Sequence, residues 1–263
     1  MSITRRLAVG PEESRAIGNF ISTTETDKIS KDRRCISKMS KLPDSKLRCP
    51  LCLSQSDINA IDIPPAEDRY FHCSRCDMIF AAADSIPGPR EEKKRYLTHD
   101  NTHESEGYVR MLTRFMERAV LPFAAGNKIL EFGCGPGPVL ADLLRERGFH
   151  LALYDPYFAP RTEALRSTYD VITSTEVLEH IRDAAGAWRR FHRLLPPGGL
   201  LAVMTRFHPG PRDFPDWWYR KDSTHIRFYS RDTFLYIERH FGWEIAMMDE
   251  RDTVALIRSS ANL

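Results

Sequence analysis

No apolar run in this chain approaches the ~20 residues that a membrane span needs, so a membrane-spanning protein is not expected. No signal-peptide apolar core follows the N-terminus. Arg5, Arg6 and Arg15 are present there, but Glu12, Glu13 and Glu25 weaken a transit-peptide reading. These absences make a cytoplasmic protein without a membrane partner the expectation. Charge of one sign is also lacking. The formal net charge is +2 over 263 residues, too near zero to imply nucleic acid by itself. The chain is long enough for one large domain, or for one domain plus a small module.

A further absence is the last glycine of a dinucleotide fingerprint. An apolar run, Ile129 and Leu130, ends in Glu131 and enters a turn with Gly133, Gly135 and Gly137. Val139, Leu140, Leu143 and Leu144 then share one face of a predicted helix that stops at Gly148. A second apolar run, Leu151 to Tyr154, ends in Asp155. Strand, glycine turn, helix, strand and acid open a nucleotide-type α/β fold. The dinucleotide fingerprint G-x-G-x-x-G would place its last glycine at Pro138 or Leu140, depending on the register, and neither completes it.

The pattern acid-x-G-x-G-x-G resembles the first motif of class I S-adenosylmethionine (SAM)-dependent methyltransferases. That resemblance implies a Rossmann-like α/β sheet and SAM as cofactor. It implies that Glu131, Gly133, Cys134, Gly135 and Gly137 lie along the methionine and ribose portions. It also makes Asp155 the acid for the ribose hydroxyls, and a carboxylate can accept both protons.

Space for a third strand is missing as well. Asp155 to Pro160 reads as a loop, Thr162 to Ser167 can form only a short helix, and Tyr169 to Thr175 already reads as the family's fourth strand. A helix, strand and helix do not fit between these points, since one crossover takes ten or more residues. The sheet is therefore expected to have a shortened or missing third strand, and no adenine-binding residue can be named. Farther on, Asp183 to Leu194 and Asp232 to His240 read as helices. Gly198 and Gly199 read as the turn into a fifth strand, and 243–248 with 253–258 as a closing hairpin.

Cysteine is sparse, but four of the six are ordered. Cys49 and Cys52, then Cys73 and Cys76, form two C-x2-C pairs about twenty residues apart, the spacing of a small N-terminal four-cysteine zinc ribbon. Two disulfides are the alternative, which a cytoplasmic setting disfavours. A closed four-thiolate site leaves no open position, so Zn2+ there would be structural. Cys35 and Cys134 fall outside the pattern and are expected as free thiols. The expected organisation is a basic tail over 1–45, the ribbon over 46–86, a linker over 87–104 and a SAM-dependent methyltransferase domain over 105–263. Lys46, Arg48 and Arg75 would be the ribbon's contacts if RNA were a partner.

Two groups follow the strands. Thr175, Glu176, Glu179 and His180 come directly after the fourth strand, and a helix starting there would place the acids and histidine on one face. The segment resembles the E-V-L-E-H motif of ubiquinone-biosynthesis O-methyltransferases and their wider relatives. In some of these the acids and histidine are thought to hold a divalent metal. The other reading has Glu176 near the cofactor, with Glu179 and His180 bracing the fold. The second group is the aromatic loop Trp217 to Tyr229, containing Tyr219 and His225, at the sheet edge where ligands bind. His225 has the side chain suited to accept a proton near neutral pH, and packing into the core is its alternative role. The catalytic set is thus His225, His180, Glu179 and Tyr219. Thr175 and Glu176 join the cofactor set, and a small-molecule methyl acceptor, through oxygen, is the expected substrate. Nucleic acid is the less favoured partner, and a non-catalytic SAM-binding protein is the third reading.

Overall fold

The computed structural model describes residues 47–63, 69–98 and 101–260. The basic tail over 1–45, with Cys35, and Lys46 lie outside the described residues. The described residues belong to one compact unit. Among them no helix is long and apolar enough to cross a membrane.

The chain opens with three short strands, β1 (Ile58–Ile61), β2 (Tyr70–Cys73) and β3 (Ile79–Ala81). A charged helix follows, α1 (Pro89–Tyr96), where the sequence suggested a linker. Proline at its first position and the Glu91 carboxylate accepting the Gly88 N–H at 2.9 Å start it. Next, α2 (Glu106–Phe115) runs into a π-helical turn, Met116–Val120. Its apolar face, including Leu112, Phe115 and Met116, packs on Ile129 and Val171 of the main sheet and on Leu140 of the following helix.

The main sheet is built from β4 (Lys128–Phe132), β5 (His150–Tyr154), β6 (Val171–Thr175) and β7 (Leu200–Met204). Between them lie α3 (Val139–Glu146) and α4 (Ala184–Leu194). After β7 come a two-residue strand β8 (Arg227–Phe228), α5 (Arg231–His240), and the hairpin β9 (Trp243–Met248) and β10 (Thr253–Arg258). The order is β5-β4-β6-β7-β10-β9. The first four strands are parallel, and β10 and β9 are antiparallel to their neighbours.

Among the described residues no strand lies outside β5, so the expected loss of the third strand is what the sheet shows. The connection from Asp155 to β6 holds one 3-10 turn, Thr162–Arg166, which lies against β5. As an edge, β5 stays half-exposed along most of its length, whereas β4, β6 and β7 are almost wholly buried.

The cysteine module is joined to this fold by backbone pairing. Its sheet has the order β1-β2-β3-β8, and β8 comes from the loop after β7. Cys49, Cys73 and Met78 share one apolar cluster with Trp188, Phe191 and Phe234 of α4 and α5.

Candidate active site

The carboxyl ends of β4, β5 and β6 border a cavity of about 800 Å3, within the roughly 300–1,000 Å3 of small-molecule sites. Glu131, Gly133, Cys134, Gly135, Asp155, Thr175 and Glu176 line it. So do His180, Tyr219 and His225, and Glu92, Arg95 and Tyr96 of α1 reach it as well. Gly137 and Glu179 do not line it. Gly137 lies beneath Asn101, whose carbonyl oxygen would be 2.5 Å from any added Cβ.

The glycine turn is sterically dictated at two points. Gly133 has φ +82°, and a Cβ there would lie 2.3 Å from Val177 Cγ2. Gly135 has φ +63°, and its N–H donates to Asp155 Oδ2 at 3.1 Å. Asp155 Oδ1 accepts from the N–H groups of Tyr157 (2.8 Å) and Phe158 (3.0 Å). One carboxylate thus fixes both the glycine turn and the loop standing where a third strand would begin. Asp155, Tyr157 and Phe158 all line the cavity. Cys134 is buried, and that burial pushes its thiol up to about 12, so it is neutral.

Glu131 is 5% exposed, and its Oε2 has no hydrogen-bond partner among the described residues. Burial pushes its pKa up to about 8. Ionising a buried carboxyl with an unpartnered oxygen at a cavity wall is costly, and a cationic ligand would relieve that cost.

The Tyr219 hydroxyl stands between two carboxylates, 3.0 Å from Glu176 Oε2 and closer still to Glu179 Oε1. Glu179 Oε2 accepts from the Thr205 hydroxyl at 2.9 Å. Burial raises Glu176 to about 8 and Glu179 to about 7. A single phenolic proton cannot satisfy both contacts, so one carboxyl of the pair holds a proton of its own.

The Nδ1–H of His180 donates to Thr224 O, and that of His225 to Tyr219 O, both at 2.8 Å. A carbonyl can only accept, so each Nδ1 carries hydrogen. Burial lowers the His180 pKa and keeps that ring neutral, with a proton-accepting Nε2. The two rings meet edge to face with centroids 4.8 Å apart.

The turn after β6 differs from the helix considered above. Glu176 has φ +54°, and only Leu178–His180 form a 3-10 turn. The left-handed backbone at Glu176 breaks the helical register. Glu176, Glu179 and His180 therefore do not form one helical face. Instead Glu179, His180 and His225 bring ligand atoms within 4.8 Å of one another.

Sequence reasoning missed α1. Arg95 pairs with Asp222 at 2.8 Å and Arg182 with Glu92 at 2.6 Å, while the Tyr157 hydroxyl donates to Glu92. Only the charge run Glu91 to Arg95 hinted at a helix, and it did not disclose what the helix covers.

The four cysteines form two matching knuckles. Leu53 N–H donates to Cys49 O (3.0 Å) and Asp77 N–H to Cys73 O (2.8 Å). Leu53 (φ 61°) and Asp77 (φ 57°) take the same left-handed turn. Cys49 and Cys76 sulfurs are 3.5 Å apart, those of Cys52 and Cys73 are 3.4 Å apart, and none forms a disulfide. A tetrahedron with Zn–S near 2.3 Å has edges of about 3.8 Å, so the set fits a zinc ion. Arg48 and Arg75 are exposed on this module.

A parallel sheet with a glycine turn and acids at its strand ends defines a nucleotide-cofactor class of fold. Residues 103–246 match the family model described as a methyltransferase domain, and the chain belongs to that family. It is similar to a ubiquinone biosynthesis O-methyltransferase of Pseudomonas aeruginosa (strain UCBPP-PA14), 32% identical over 113 residues, covering 34% of this chain and 47% of that protein. A protein of the same description from Hahella chejuensis is 31% identical over 122 residues, covering 37% and 49% respectively. The chain thus spans about half the length of these relatives. Among solved structures, an O-methyltransferase family protein from Burkholderia thailandensis aligns with TM-score 0.47 at 19% identity, covering 58% of this chain and 56% of that one.

Proposed function

We propose that this chain transfers the methyl group of SAM to an oxygen of a small-molecule acceptor. The observation that carries the reading is the buried Glu131 carboxyl at the cavity wall, whose Oε2 has no hydrogen-bond partner among the described residues. It suits a ligand bearing positive charge, as the ammonium and sulfonium of SAM do. SAM supplies an electrophilic methyl group, and everything else is orientation and proton handling by the chain. Glu131, Gly133, Cys134 and Gly135 hold the methionine end, and Asp155 meets the ribose hydroxyls. Thr175 and Glu176 bound the reaction centre from the β6 end. The Tyr157 and Phe158 rings stand at the adenine end in place of strand residues.

The acceptor enters between α1 and the 217–225 segment. His180 or His225, each with Nδ1–H anchored on a carbonyl, takes the acceptor's hydroxyl proton at Nε2. Glu179 and Tyr219 act from behind. Glu179 holds the phenol, and Tyr219 O orients His225. Zn2+ belongs in the Cys49, Cys52, Cys73 and Cys76 set as a structural ion, and the unit divides into ribbon and methyltransferase parts.

Calorimetric titration with SAM tests the cofactor. One site per chain is expected, and no heat of binding would refute the proposal. A panel of phenolic and catecholic acceptors, read by S-adenosylhomocysteine release, tests the acceptor class. Metal analysis of freshly purified protein should find about one equivalent of zinc, the stoichiometry of a single four-thiolate site. Well below half an equivalent would remove zinc from the account.

A further inference from the structure

The cysteine module and the acceptor side of the cavity share backbone. In β8, Phe228 pairs with Ile79 and Arg227 with Phe80 of β3. The Ala81 N–H donates to Ile226 O at 2.9 Å, and the Ile226 N–H donates to Glu179 O at 2.8 Å. His225, one residue earlier, lines the cavity. The second knuckle makes two more ties. Asp77, next to Cys76, accepts the Ser230 hydroxyl at 2.5 Å, and its carbonyl accepts the His208 Nε2–H at 2.7 Å. The first knuckle makes one, through Pro50 O, which accepts the Ala185 N–H of α4 at 3.0 Å.

Arg227 adds a hydrogen-bonded tie. It is 6% exposed and donates to Ile226 O (2.7 Å) and Arg182 O (2.9 Å).

We propose that the metal-loaded cysteine module is the support that holds the 217–228 wall of the active site. This rests on reading the four cysteines as a zinc site. Metal loss then loosens the acceptor side and spares the glycine turn. Zinc occupancy sets acceptor geometry without being part of the chemistry.

Hydrogen exchange on the full chain, zinc-loaded and chelator-stripped, tests this. Exchange over 217–230 should speed up at least about tenfold together with 47–82, the equivalent of losing one to two backbone-level constraints. Residues 128–155 should stay within about twofold, and S-adenosylhomocysteine affinity within about threefold. Unchanged exchange over 217–230 overturns the proposal. So does equal loss over 128–155, which would make zinc a global folding requirement. Purified chain without zinc overturns the zinc reading and this proposal together, whereas one equivalent of zinc with an unmoved 217–230 overturns this proposal alone.

Discussion

Glu131→Gln is expected to weaken SAM roughly 10–100-fold at pH 8, the range for losing a hydrogen bond to a charged partner. At the same time it should stabilise the ligand-free protein. Both effects come from one buried oxygen. Burial holds the Glu131 pKa at about 8 against an ordinary 4.5. A carboxyl raised in this way favours the fold fully below pH 4.5, and that contribution is lost as pH climbs through about 8. Glutamine stays neutral throughout. The stability gap in favour of the variant should therefore widen from pH 5 to pH 9, reaching on the order of 2–4 kcal/mol. Cofactor affinity should move the other way, because a cation binds the ionised carboxylate and must expel its proton below pH 8. Wild-type affinity should rise between pH 6.5 and pH 8.5 relative to the variant, a comparison that cancels the ligand's own titration. Thermal melts and calorimetry across that range check both limbs. Parallel pH profiles for the two proteins would mean that Glu131 does not meet the cofactor's charge.

Of His180→Ala and His225→Ala, the variant that removes the base is expected to lower turnover about 10²–10⁴-fold, the usual contribution of a positioned general base. S-adenosylhomocysteine affinity should stay within about threefold, because neither ring belongs to the glycine-turn side. His180 is held neutral by burial, with its pKa lowered from 6.5. A base of that kind loses activity only as pH falls through the lowered value, so the acid limb of the rate profile should lie below 6.5 if His180 is the acceptor of the proton. If His180→Ala keeps wild-type turnover, its ring serves only to pack against Tyr96 and His225. Rates unchanged in both variants would leave the reaction to orientation alone. Single-turnover rates with saturating cofactor make the distinction.

Much of the fold was legible because it follows local rules. The closing hairpin over 243–248 and 253–258 lies where alternation and turn residues placed it. The missing third strand followed from counting residues between Asp155 and Tyr169, a limit that no packing can evade. The cysteine set was legible from spacing alone, and its sulfurs converge. Other parts depend on contacts far apart in sequence. Nothing local marks Arg227–Phe228 as a strand, since its partner β3 lies far earlier in the chain, at Ile79–Ala81. A helix beginning at Glu176 fitted the spacing of its acids and histidine, and nothing local marks the left-handed φ that Glu176 takes beside the Tyr219 hydroxyl. Glu92 reads as one of several surface charges, yet it is buried between Arg182 and Tyr157.

The way α1 is fastened sets how the cavity answers to its solvent. Within α1 itself the buried side chain is Glu92, a charge, so apolar burial contributes little to its seating. Its fastenings to the rest of the cavity include the Glu92–Arg182 and Arg95–Asp222 ion pairs, the Tyr157 hydroxyl and the Tyr96 ring against Tyr157 and His180. The glycine turn and strands beneath are held by backbone hydrogen bonds and a packed core. The two halves of the cavity thus respond to different solvent variables. Salt reaches the exposed arginine ends of these pairs and barely touches the sheet, so rising ionic strength acts on the roof before the floor.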